Sequence, residues 1–318
     1  MFFHREAVFS MIDPYPSMDG WLITKGGRLK SGRWWLKAFV SRGQAPEIRG
    51  TKLLKMRLFY ILLLLILLLF SMRIIAQADT VRPGKTALVT GALKPGLRQY
   101  LVCYQNPKTN RQLGFWYWLR DIKVEKQKGR AVVVIDQRWY GSDTGAYRSV
   151  YSVNATGDFA PVYHKELVRG KLNAYNWTAN GITGADSVEG NAHKGFSLAF
   201  PEPNYNWNLD IETFEQLPLA EGKSFLINFY DAGLSPPGYV RYQVTGSERL
   251  TLLDGHQADC WMLATEGKDP QGGAYSEVYW ISKKDHQFLK EVDHFNGMTR
   301  YKIRMPDMMP DIRTGFEH

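Results

Sequence analysis

The chain has 318 residues, of which 14% are aromatic, and carries 40 Lys+Arg against 31 Asp+Glu, a formal net charge of +9. That excess is local: residues 1–78 hold 12 Lys+Arg against 4 Asp+Glu, whereas residues 79–318 hold 28 against 27. A remainder so nearly neutral has no basic footprint for nucleic acid, and no nucleic-acid partner is expected.

Residues 1–55 carry Pro, Gly and scattered Arg without apolar periodicity, and the pair Trp34-Trp35 stands alone. This stretch reads as a non-structural, or mis-annotated, N-terminal extension. An internal methionine, Met56, then opens residues 56–78. The basic residues Lys52, Lys55 and Arg57 precede the uncharged run Leu58 to Met72, and Ala76-Gln77-Ala78 follows it. A positive flank, an apolar core and a small-residue site are the parts of a cleavable signal peptide. The run of 15 residues is shorter than the roughly 20 a spanning helix needs. An uncleaved membrane anchor is the alternative. Either way the positive flank stays inside, so residues 79–318 form a single exported domain that touches a membrane only through the preceding segment.

Within that domain short β-type segments follow one another between turn signals. They are Tyr100–Gln105, Leu113–Val124, Ala131–Tyr140, Ala146–Val153, Val162–Val168, Lys171–Ala179 and Phe196–Phe200. Then come Ser224–Tyr230, Tyr239–Val244, Gln257–Ala264, Tyr275–Ser282, Phe288–Phe295 and Thr299–Arg304. Between the two series, Asn208–Leu217 places apolar residues at helical spacing and stops before Pro218. The fold expected is mainly β: a strongly curved antiparallel sheet or open barrel with one short helix. A wide flat sheet would leave two unprotected edges.

Phe115-Trp116-Tyr117-Trp118-Leu119 carries large groups on both faces of its strand. A strand with one solvated face should alternate with polar residues, so this one is covered twice or lines a cavity. Trp116, Trp118, Trp139, Trp177, Trp261 and Trp280 are the candidate pocket aromatics, with core packing as the plainer role. Cys103 and Cys260 could form a disulfide in an oxidising compartment or stay as buried thiols.

Phe214–Phe225, Val244–Glu248, Asp259-Cys260-Trp261 and Tyr279–Lys290, in that order, resemble an uncharacterised family of bacterial periplasmic all-β proteins, a domain of unknown function. The resemblance implies the architecture of the lipoprotein carrier LolA, a curved antiparallel sheet around a helical element. It implies a periplasmic location, or an inner-membrane anchor with residues 79–318 outside. It supplies no catalytic residues, and residues 79–200 show no carrier motif.

Other chemistry finds little support. His164 and Glu166 share one strand face, read as a polar surface rather than two metal ligands. Asp210, Glu212 and Glu215 lie on the short helix and read as a solvated face. Gly246-Ser247-Glu248 reads as a strand end, not a nucleophile elbow. No catalytic residue, metal or cofactor is assigned. Three functions follow: a non-enzymatic binding or carrier-like protein for an acyl chain or other amphiphile, a cell-envelope glycan-binding module or glycan-acting enzyme, and a scaffold for another envelope protein.

Overall fold

A computed structural model describes residues 59–61 and 78–307, apart from 86–87, 142–143, 234–235 and 270–271. Nearly all of the signal or anchor segment, and all of residues 1–55, lie outside the described residues. Among the described residues, no helix is long and apolar enough to cross a membrane. The strands belong to a unit of the chain that takes in Ala76–His318, distinct from a unit at Ser10–Ile75.

Sixteen strands occur among the described residues. They are β1 (Asp79–Val81), β2 (Gly96–Asn106), β3 (Arg111–Gln127), β4 (Arg130–Tyr140), β5 (Arg148–Ala155), β6 (Pro161–Val168), β7 (Lys171–Thr178), β8 (Gly181–Gly184) and β9 (Ser197–Ala199). After β10 (Tyr205–Asn206), a 3₁₀ turn at Trp207–Leu209 leads into the helix α1 (Asp210–Glu215). The second series is β11 (Ser224–Tyr230), β12 (Gly238–Thr251), β13 (Gln257–Lys268), β14 (Ala274–Ser282), β15 (Phe288–Phe295) and β16 (Met298–Arg304).

The strands form one sheet in the order β1-β11-β12-β13-β14-β15-β16-β2-β3-β4-β5-β6-β7-β8-β9. Each series is an antiparallel meander, and β16 pairing with β2 fuses them. The exceptions are β1 and β10, which both pair with β11 in parallel. Both ends of the order are three-residue strands, a length that blunts an edge against further pairing. β12 runs on through Gly246, Ser247 and Glu248, with a register shift between Val244 and Gly246. The expected strand end there is therefore a bulge inside a longer strand.

One hydrophobic core joins Val81, Phe225 and Tyr242 from one end of this order to Ile122, Val133 and Ile135 near its middle. Residues so far apart in a sheet meet only if the sheet curls. The curled sheet wraps α1, whose Ile211 and Phe214 are fully buried together with the flanking Leu209 and Leu217. Fully burying such side chains contributes about 1.5–3 kcal/mol each. A six-residue helix would not persist in water by itself, so α1 exists because the sheet packs around it. Its entry is fixed by Asn206, whose side chain accepts from the backbone N–H of Asn208 at 3.0 Å. Thr213 donates to the Leu209 carbonyl at 2.9 Å, and Gln216 to that of Glu212 at 2.8 Å.

Candidate functional site

Period-two alternation across the paired strands defines a continuous inner face. On β2 it presents Arg98, Tyr100, Val102 and Tyr104, and on β3 Trp116, Trp118, Arg120 and Ile122. The neighbouring β4 adds Ile135, Gln137 and Trp139, while β16 adds Arg300, Lys302 and Arg304. Aromatic and cationic side chains thus share one concave surface.

Three of the sequence-selected tryptophans meet there. Trp118 stacks on its cross-strand partner Trp139 with centroids 4.3 Å apart and planes 20° from parallel. Its indole N–H donates to Gln137 at 3.3 Å. Trp116 sits two residues along and packs edge-on to Tyr104 at 5.2 Å. Trp261 borders the same core from β13, with the Lys283 ammonium 3.8 Å above its ring. Trp177 packs in a separate cluster with Phe200 and Tyr230. Trp280 faces the other side of the sheet, because Tyr279 points inward and the next residue must point out. It packs there against Leu289 and Cys260 and donates to Glu248 at 2.8 Å.

The two cysteines are free. Both point to the convex face, and β14, β15 and β16 lie between their strands, roughly 19 Å along the sheet at about 4.8 Å per strand. A disulfide needs Cα atoms within about 7 Å, so the suggested bridge does not form in this fold. Burial raises both thiol pKa values, that of Cys260 to about 11.

The acidic residues of α1 are not a solvated face. Glu212 and Glu215 are fully buried and pair with inward-facing arginines of the sheet. Arg120 donates to Glu212 through Nε at 2.6 Å and through Nη2 as well. Arg98 donates to both Glu215 oxygens and, through Nη2, to the Lys94 carbonyl at 3.0 Å. Glu215 also accepts from the Phe288 N–H at 2.7 Å. Burial pushes the Glu212 carboxyl pKa up against the opposing pull of Arg120. Burial also works against the Arg98 charge, but Glu215, Tyr100 and Glu212 together raise its pKa.

A second charged group continues the belt across β15 and β16. Lys302 meets Glu291 at 2.6 Å, and Arg300 meets Glu291 at 3.0 Å and Asp293 at 2.6 Å. Glu291 is held below its ordinary pKa: burial opposes this, but Lys302 and Arg300 prevail.

His164 and Glu166 also lie on the inner face and not at a polar surface. Fully buried His164 is 3.0 Å from both Ser152 Oγ and Asn206 Nδ2 through Nδ1, and burial lowers its pKa to about 4. Glu166 pairs with Arg148 at 3.2 Å and accepts from Asn173 at 3.1 Å. Asn208 donates to Asp231 at 3.3 Å, and burial raises the Asp231 carboxyl to about 7. Among the described residues the other imidazole nitrogen, His164 Nε2, has no hydrogen-bond partner, and Ser152 and His164 are both closed off from solvent.

At one rim a cleft of about 510 Å³ opens between the β12–β13 turn, the β14–β15 turn and the end of β16. Asp254, Asp259, Lys283, Asp285, Arg304 and Asp307 are among its lining residues.

Fold and site together define a β-barrel-like protein: an open curled sheet whose aromatic and cationic interior is filled by a short acidic helix. The chain belongs to DUF3108, a family of proteins of unknown function, whose family model matches residues 100–315. No curated protein matches it. Among solved structures, the chain is similar to the β-barrel-like protein of the domain of unknown function DUF1849 from Brucella abortus. The two share 9% identity over 67% of this chain and 96% of that one, with a TM-score of 0.45.

Proposed function

We propose that the chain is an exported, non-enzymatic binding protein that holds an amphiphile against the concave face of its sheet. The observation that carries this reading is the occupant of that face. A six-residue helix, neither strand nor long enough to fold alone, fills an aromatic surface and joins it through buried ion pairs. Buried ion pairs recover their desolvation cost poorly, but a buried arginine left alone costs more, so a ligand that replaces the helix must bring its own anionic group. The stacked pair Trp118–Trp139 offers flat apolar area for an acyl chain or a ring. Export rests on the segment around Leu58–Met72, and the resemblance to LolA-type carriers accords with a periplasmic setting.

The glycan alternative needs an exposed aromatic platform, and Trp118, Trp177 and Trp280 are all at most 7% exposed. That burial weighs against it. The test is native mass spectrometry of the gently purified chain for co-purifying lipid, followed by titration of the delipidated protein with a hydrophobic fluorescent probe. Bound lipid, or saturable probe binding with tryptophan quenching, supports the proposal. A protein that carries nothing and ignores the probe refutes it.

A further inference from the structure

We propose that the corner formed by Arg98, Tyr100 and Arg304 is the seat of an anionic head group on that amphiphile, with Glu215 as its built-in substitute. The inference rests on the proposed binding function and specifies its ligand class. Arg98 and Tyr100 are two residues apart on β2, hence on one face, and Arg304 is the cross-strand partner of Tyr100. The Arg304 guanidinium lies 5.9 Å from the Tyr100 ring.

Donors exceed acceptors at this corner. Tyr100 is 0% exposed and its hydroxyl has no hydrogen-bond partner among the described residues; the same is true of the buried Arg304 Nη1. Buried donors without partners are rare, and two that share a corner with a second guanidinium, that of Arg98, point to an acceptor. The other terminal nitrogen of Arg304 is held by Asp307 at 2.5 Å, and Asp307 is 78% exposed. A partner so exposed competes weakly with an anion delivered to the buried side. Glu215 already shows what the site accepts, since Arg98 binds both of its oxygens.

The head group therefore takes the Glu215 position on Arg98 when α1 withdraws, and Tyr100 and Arg304 supply the hydrogen bonds that Glu215 does not collect. Its chain then follows the surface that α1 leaves, over Trp118, Trp139 and Tyr104. A carboxylate meets these requirements with two oxygens in the plane of the guanidinium. A free small anion shares that head chemistry, and the experiment separates the two.

Delipidated protein is titrated calorimetrically with dodecanoate, dodecanol and acetate. Dodecanoate is expected to bind at least tenfold more tightly than dodecanol, with acetate far weaker. Tyr100→Phe and Arg304→Gln should each weaken dodecanoate about tenfold and leave dodecanol unchanged. Tyr100→Phe removes only a hydroxyl with no partner, so its melting temperature should not fall, which separates a binding defect from a folding one. Equal binding of dodecanoate and dodecanol, unmoved by either variant, would overturn the head-group seat and leave the concave-face reading intact. Acetate as tight as dodecanoate, or no binding by either chain, would overturn both.

Discussion

Arg120 on the third strand grips Glu212 of the helix across 92 residues of sequence, and both side chains are shut off from solvent. The pair is the clearest sign that the helix belongs to the interior of the sheet and was not simply left there by the connection. Removing one member strands the other charge in the core. Glu212→Met and Arg120→Met are each expected to cost about 3–5 kcal/mol, whereas the double replacement Arg120→Met/Glu212→Met recovers most of that loss. Urea denaturation of the four proteins measures the coupling, and additive losses would show that the contact contributes nothing.

The six tryptophans should separate by position. Trp118→Leu breaks the stack with Trp139 at the centre of the inner face, so it should abolish probe binding as well as lower stability. Trp280→Leu acts on the convex cluster with Cys260 and Leu289 and should cost stability alone. Probe affinity measured for both variants under conditions where each is folded distinguishes the faces. Equal loss in the two would mean the ligand does not use the concave side.

Two buried groups pull stability in opposite directions between about pH 4 and 7. His164 titrates near 4 in the fold and at about 6.5 when unfolded, so its contribution is present above pH 6.5 and lost as pH falls. Asp231 titrates near 7 in the fold and at about 3.9 when unfolded, so its contribution is present at low pH and lost as pH rises toward 7. Each is worth on the order of 3 kcal/mol at full extent, and in the native chain they largely cancel. Asp231→Asn should leave a melting temperature that climbs from pH 4 to 6.5. His164→Gln should leave one that declines over the same range. Two variants with the same pH profile as the parent would contradict both assignments.

The cysteines give a simpler expectation. With three strands between them, reductant should not change the melting temperature. Native alkylation should modify half-buried Cys103 well before fully buried Cys260, as peptide mass spectrometry can show.

Much of this fold is legible in the sequence, because turn residues separate alternating segments and each strand of the C-terminal series begins within a residue of its expected place. The strong curl is legible too, from Phe115–Leu119: Trp116 and Trp118 face inward while Tyr117 is buried on the opposite side. The buried charges are not legible in the same way. Arg98 and Glu215 are 117 residues apart, and an acid on a short helix ordinarily faces water. A local signal did exist. Arg98 shares its parity with Tyr100, Val102 and Tyr104, and Arg120 with Trp116, Trp118 and Ile122, so each arginine sits on an otherwise apolar face. On and just after α1, Ile211, Phe214 and Leu217 leave no wet side for Glu212 and Glu215. The disulfide could not be judged from spacing at all, since only the strand order shows what lies between the thiols.

The central claim is that α1 and a ligand compete for one surface. Hydrogen–deuterium exchange of residues 207–219, measured with and without saturating dodecanoate, tests it most directly. The account predicts that this segment loses protection on loading while β2, β3 and β4 keep or gain it. Bound dodecanoate with protection of 207–219 unchanged or increased would contradict it.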